Sequence, residues 1–226
     1  MVMQAISDQD RDRIAAAVAR AEQESDGEIV TILAPRSDAY HDVALHYAIL
    51  LMLLVPAVWA FLPQSLIDWA TARFLGWNAS LNRELIMGLL FVKLAGTFLF
   101  VRLLLAWLPL RLALTPKGTK ARRVRRRAIE MFKASVDNRT EGRTGILLYL
   151  SLLERRAEIV TDEAIHSRVD PEMWGEAMAA LIAQVKAGRP GEGMALAVEK
   201  IGAVLADVLP ARHENPNELS DRLIEL

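Results

Sequence analysis

Two stretches of the chain lack the usual alternation of apolar and polar residues. From Ala44 to Leu62 no residue carries a formal charge. At about 1.5 Å of helical rise per residue, this run nearly spans a hydrocarbon core of about 30 Å. Pro56 lies within it, and lipid-embedded helices accept proline better than soluble ones. The second run, Ile86 to Leu108, holds Lys93 and Arg102 among fourteen Leu, Ile, Val and Phe residues. Each charge costs about 2.5–3.5 kcal/mol at a helix centre and each large apolar residue contributes roughly 0.3–0.6 kcal/mol, so the apolar sum wins. Neither charge lies at the midpoint of this run, near Thr97, and both are read as snorkelling toward opposite interfaces. Between the runs, Leu66, Ile67, Ala70, Phe74 and Trp77 recur at near-helical spacing and predict a short interfacial helix, with Trp69 as a further belt aromatic.

The flanking segments read as an ordinary α/β pattern. Ser7 caps a predicted helix to about Ser25, with Ile14, Ala17, Val18 and Ala21 on one face. Asp26-Gly27 ends it, and Glu28 to Ala34 reads as a strand. Ser37 or Asp38 is the expected cap of a helix running into the first apolar run. Thr115-Pro116 opens a helix to about Ser135, with Ala121, Val124, Ala128, Met131, Phe132 and Val136 as its stripe and Asp137-Asn138 as its close. The continuous apolar run Thr144 to Leu152 predicts a strand covered on both faces. Glu154-Arg155 turns it into a partner at Arg156–Thr161. A helix capped at Asp170-Pro171 carries Met173, Trp174, Ala177, Leu181 and Val185. A loop at Gly188–Gly191 and a last helix from about Glu192 to Leu209 follow, then a polar tail.

The strand at Glu28 is alone on its side of the apolar runs, and a lone strand is not stable. Two spans return the chain to one side, where this strand can join the later two. The expected organisation is one discontinuous cytoplasmic α/β domain, residues 1–42 and 109–212. It is interrupted by a two-helix transmembrane hairpin at 43–108, with spans at about 43–62 and 86–108, and is followed by a tail at 213–226. Basic residues cluster after the second run, from Arg111 through Lys117, Lys120, Arg122, Arg123 and Arg125 to Arg127, whereas the intervening loop has only Arg73 and Arg83. The excess predicts both termini in the cytoplasm.

Composition agrees with this division. The hydrophobic fraction is 53%, above the roughly 45–50% usual for soluble domains. A net charge of −1 argues for no strongly charged partner. The absence of cysteine excludes disulfides, a thiol nucleophile and thiolate zinc sites. The opening residues do not follow the basic-then-apolar plan of a cleaved signal.

Candidate chemistry is sparse. Sites in α/β folds gather at strand ends, near Glu28, Glu141, Arg143, Thr144, Asp162 and Glu163. Asp162 and Glu163 are the candidate carboxylates and Arg143 the candidate anion binder; the competing reading is a solvated rim with Asp162 as a helix cap. Asp8-Gln9-Asp10 opens a helix and reads as an end-charge cluster. Lys117-Gly118-Thr119-Lys120 lacks the upstream glycine of a phosphate loop. His41 and His46 are five apart, poor spacing for one metal, and read as interfacial or packing residues; His166 and His213 have no visible partner. No metal site is expected from these residues. The basic run through Arg127 holds no aromatic for base stacking, so it is read as a topology signal contacting anionic lipid, not nucleic acid.

Several segments resemble the TPM domain family. They are Asp26-Gly27-Glu28-Ile29-Val30 after the opening helix, Thr140-Glu141-Gly142-Arg143-Thr144-Gly145-Ile146-Leu147-Leu148-Tyr149-Leu150-Ser151, Glu154 to Val160, and Gly191-Glu192-Gly193-Met194. The tail Asn215 to Asp221 is similar to that of bacterial membrane members with the same hairpin. The resemblance implies an α/β sandwich, a bacterial inner (plasma) membrane location and, in some relatives, acid phosphatase activity or a divalent cation such as calcium or magnesium. Several lumenal relatives carry paired aspartates before the central strand; here Arg143-Thr144 replaces these two ligands with a cation and a hydroxyl. The leading expectation is a membrane-anchored, non-enzymatic interaction or assembly module that meets lipids and another membrane-associated protein. The alternative is a divalent-metal-dependent phosphatase. A third reading, a transport accessory, would use Lys93 and Arg102.

Overall fold

The computed structural model describes residues 6–75, 82–136, 144–211 and 218–226. It is a mixed α/β fold in which two long apolar helices follow the first strand. The chain forms two compact units, one of residues up to Asp38 and from Lys117 onward, the other Ala39–Pro116.

The first unit is built on a four-stranded sheet in the order β3-β2-β1-β4: β1 Glu28–Ala34, β2 Gly145–Ser151, β3 Arg156–Thr161 and β4 Ile224–Glu225. β1 and β2 run parallel, with Glu28 opposite Gly145 and Ala34 opposite Ser151. β3 returns antiparallel to β2, after a turn in which Arg155 takes a positive φ of 50°. Every residue of β1 and β2 is buried. Side chains alternate across a strand, so Ile29, Leu33, Ile146, Leu148 and Leu150 enter one core while Val30, Ile32, Leu147 and Tyr149 enter another.

Helices cover both faces. On the first lie α1 (Asp8–Glu24), α8 (Gly175–Lys186) and α9 (Pro190–Val208), which bring Ile14, Val18, Leu181, Met194, Val198 and Ile201 to the core. α1 starts as its sequence dictates: the Ser7 side chain accepts from the Asp10 N–H. At Gly202 a Cβ would stand 2.6 Å from Ala21 Cβ, so glycine permits the close passage of α9 over α1. On the second face lies α6 (Lys117–Ser135), which seats Val124, Ala128 and Phe132. A short α7 (Glu163–His166) follows β3, and Pro171–Trp174 is a separate 3-10 turn before α8 rather than its first turn.

The second unit holds α2 (His41–Phe61), α3 (Gln64–Leu75), α4 (Arg83–Leu104) and α5 (Leu108–Leu114). α2 and α4 have mean hydropathies of 2.1 and 2.0 and are long enough to cross a membrane. They meet through Ala44, Ala48, Val101 and Leu105, flanked by Tyr47 and Phe98. Small residues at such a contact let helix backbones approach. The remaining surface is apolar and open: Leu53 is 60% exposed, Phe91 71% and Leu103 77%. Arg111 is buried and its Nη1 donates to His41 Nδ1 at 3.0 Å. His41 itself is exposed.

Three local readings change. The second apolar helix ends at Leu104 instead of reaching Leu108, and Pro109 lies in the first turn of the separate α5. The helix now centres on Lys93, whose ammonium lies 4.4 Å from the Trp59 ring centroid. Finally, neither Ser37 nor Asp38 caps α2, which begins after Tyr40 in a left-handed conformation, since both side chains are bonded elsewhere. A helix does lie between the two apolar runs, α3, and Trp69 on it is 68% exposed; Trp77 lies outside the described residues, as do Asp137, Asn138 and His213.

Candidate functional site

The amino-terminal ends of β1 and β2 gather carboxyl groups that a water-facing rim would not bury. Glu22, on the last turn of α1, is 8% exposed and Glu28, at the start of β1, only 2%. Glu22 Oε1 accepts a 2.8 Å hydrogen bond from the Ile29 N–H. Alternate amides of a strand face opposite neighbours, and β4 pairs only with Ile32 and Leu33 of β1. The Glu22 carboxyl therefore takes the place of a neighbouring strand where β4 does not reach. Glu28 Oε2 accepts from the Leu219 N–H at 3.1 Å, while Oε1 is buried and has no hydrogen-bond partner among the described residues.

Burial raises the Glu22 carboxyl to about 8; the Ile29 N–H opposes this, and the charges of Glu28 and Asp221, with a hydrogen bond that the protonated Glu22 donates to Asp221, reinforce it. Glu28 is also raised, first by burial and then by Glu218 and Asp221, against the backbone bonds from Leu219 and Glu218. Both groups favour protonation in the folded chain.

Asp162 follows β3 and is 7% exposed. Its backbone N–H bonds Gly145 O at 2.8 Å and its carbonyl accepts from the His166 N–H at 2.9 Å. A Cβ on Gly145 would stand 3.6 Å from Asp162 Oδ2 and 2.2 Å from Val136 Cγ1. Glycine is thus required where three strands converge, with Glu28 and Asp162 on either side. Glu163, by contrast, is exposed in the first turn of α7. The two candidate carboxylates point to different environments. Arg143 and Glu141 lie outside the described residues.

A second polar network, which sequence reasoning missed, closes the opposite ends of the strands. Glu154 accepts from the Ser37 N–H at 3.0 Å through Oε1 and from the Ser151 hydroxyl at 2.5 Å through Oε2. The Ser37 and Tyr149 hydroxyls are 3.1 Å apart, and burial raises the Tyr149 phenol. Asp38 forms ion pairs with Arg123 at 3.0 Å and Arg126 at 3.3 Å. The Glu-x-x turn itself was legible; its carboxylate partners, over a hundred residues away in the case of Ser37, were not.

A divalent cation requires several oxygen ligands free to turn toward it. Here one oxygen of Glu22 and one of Glu28 already accept backbone N–H groups, and burial favours their neutral forms. Among the described residues no group of three or more His, Asp or Glu is placed to hold a metal ion. These residues do not fit a cation site, and no chemistry is assigned to one.

Comparison with known families matches residues 112–204 to the TPM domain. That segment runs from α5 through most of α9, so the chain carries a TPM-like domain over this part. No curated protein matches. Among solved structures, the NMR structure of the BA42 protein from the psychrophilic bacterium Bizionia argentinensis is similar in fold, with a TM-score of 0.57 and 15% identity, covering 100% of this chain and 99% of that one.

Proposed function

We propose that the protein is a membrane-anchored interaction or assembly module, with its TPM-like domain on the cytoplasmic side of a bacterial inner membrane and the hairpin of α2 and α4 holding it there. The observation that carries this reading is the open apolar surface of α2 and α4. Within their 18-residue apolar windows only 17% and 6% of residues are buried, and exposed patches of that extent mark contact with membrane or partner. Lys93 is compatible with it, because its ammonium lies over the Trp59 ring and a cation over an aromatic face is stabilised by about 0.5–2 kcal/mol. Basic residues of α6, which follows the second span, support a cytoplasmic placement.

The domain's partner would be another membrane-associated protein. Buried carboxyls engaged in internal hydrogen bonds suit a structural role better than turnover. Affinity capture of the full chain in mild detergent tests this: a membrane protein that co-purifies with the intact chain and is lost when the domain is destabilised supports the module, and recovery of the chain alone at native abundance opposes it.

A further inference from the structure

Within the hairpin unit, α2 and α4 share an open groove of about 360 Å³, a size within the roughly 300–1,000 Å³ of sites that hold small organic molecules. Leu51, Leu54, Val58 and Leu62 line it at helical spacing from α2 and its end, with Trp59 beside them and Lys93 joining from α4. Leu51 is the middle residue of α2 and Leu62 follows its last residue, Phe61, so the groove tracks the carboxyl-terminal half of that helix. At about 1.5 Å of rise per residue the path from Leu51 to Leu62 is about 16 Å. One leaflet contributes roughly 15 Å to a hydrocarbon core of about 30 Å, so the groove has the length of a single leaflet.

Lys93 stands midway along α4, yet its ammonium meets the last turn of α2 through the Trp59 ring, 4.4 Å from the ring centroid. An ammonium has three N–H donors, and the ring supplies no lone pair to accept them. Among the described residues no carboxylate forms an ion pair with Lys93, and the groove lining holds no acid. A cation on an apolar wall favours an anion from its surroundings. Lys93 is exposed, as are Leu54 and Val58, so the groove is open to whatever lies beside the helices.

We propose that this groove is a binding site for an anionic phospholipid of the leaflet far from the TPM-like domain, with an acyl chain along Leu51 to Leu62 and the headgroup phosphate on the Lys93 ammonium. The site rests on the reading of α2 and α4 as membrane spans. The lining favours a lipid over another helix. Helices that pack in membranes approach through small residues, as α2 and α4 do at Ala44 and Ala48. The groove presents only Leu, Val, Trp and Lys, large side chains that hold a second helix off and leave gaps a flexible acyl chain can fill. The uncompensated charge of Lys93 selects a phosphate that has no cation of its own, which separates an anionic lipid from a zwitterionic one.

Trp59 makes the site readable by fluorescence. The full chain is placed in phosphatidylcholine vesicles containing a minor component brominated on its acyl chains, phosphatidylglycerol in one series and phosphatidylcholine in the other. Bromine quenches the indoles it touches, and subtraction of the Trp59→Phe signal isolates Trp59 from the other tryptophans. Brominated phosphatidylglycerol should quench Trp59 several-fold more than brominated phosphatidylcholine. Lys93→Met, which keeps an unbranched side chain and removes the charge, should make the two lipids equal, and Lys93→Arg should retain the preference. Equal quenching by both lipids in the parent, or a preference that survives Lys93→Met, would overturn the site while leaving the hairpin in the bilayer. Trp59 shielded from both brominated lipids in carbonate-washed vesicles would also overturn it, because a second copy or a partner helix would then fill the groove. Release of the chain by that wash would remove the membrane reading and the site together.

Discussion

Glu22 and Ile29, seven residues apart, are joined by a 2.8 Å hydrogen bond from a strand amide to a buried helix carboxyl. The bond ties the end of α1 to the start of β1 and satisfies an edge N–H that the two-residue β4 leaves uncovered. Glu22→Ala should therefore cost about 1–3 kcal/mol, the usual penalty for orphaning a buried donor, whereas Glu22→Gln should cost less. Thermal unfolding of both variants in one detergent at pH 6.5 checks the order.

The same carboxyl makes stability depend on pH. Its folded value of about 8 lies above the ordinary 4.5, so between these pH values the folded chain binds more protons at this site than the unfolded chain. Stability contributed by Glu22 is then fully present below the unfolded value, falls by at most about 1.4 kcal/mol per pH unit as pH rises, and is lost above the folded value. Denaturation between pH 5 and 9 should show this decline in the parent chain and a flatter profile in Glu22→Gln. A parent profile that rises across this range would contradict the assignment.

Close packing at Gly202 and Gly145 leaves no room for a methyl group. Gly202→Ala brings a Cβ to 2.6 Å from Ala21 Cβ, and Gly145→Ala brings one to 2.2 Å from Val136 Cγ1. Each should destabilise the domain by about 1–3 kcal/mol through overpacking. Gly118→Ala, where nothing lies within 4 Å, is the control and should be neutral or slightly stabilising by helix propensity.

The phosphatase alternative has a direct assay. Purified protein with a generic phosphomonoester and calcium, magnesium or manganese should show no turnover above a metal-only blank. Turnover that disappears in Asp162→Ala and Glu163→Ala would favour the enzyme over the module.

Much of the fold was legible because its signals are local. Ser7 and Asp26-Gly27 bracket α1, and the unbroken run Ile146–Leu150 could only be a strand covered twice. The missed features depend on long-range pairing. Leu223-Ile224-Glu225-Leu226 is too short to read as a strand, and it becomes one only because β1 offers an edge. Glu22 reads as one acid among several at the end of a helix; its burial follows from the tail and from Ile29. Ser37 and Asp38 have the chemistry of caps, but the Tyr149 hydroxyl and Arg123 compete for their side chains and win. Of the candidate site residues, Asp162 stands at the N-cap position of α7 but is buried and makes no side-chain cap hydrogen bond, while its neighbour Glu163 is exposed.

Lys93, over the Trp59 ring at the middle of α4, and Arg102, in its last turn, are read as cations accommodated by the second span, not as a transport path. Lys93→Leu with Arg102→Leu should leave the chain in the membrane fraction and any cellular phenotype unchanged; loss of phenotype with insertion intact would favour a pathway.

The central claim is that α2 and α4 are embedded in lipid. Alkaline carbonate washing of membranes from cells making the full chain measures this most directly. The protein should stay in the pellet, as a lipid-spanning hairpin must. Its quantitative release into the supernatant, intact, would contradict the account.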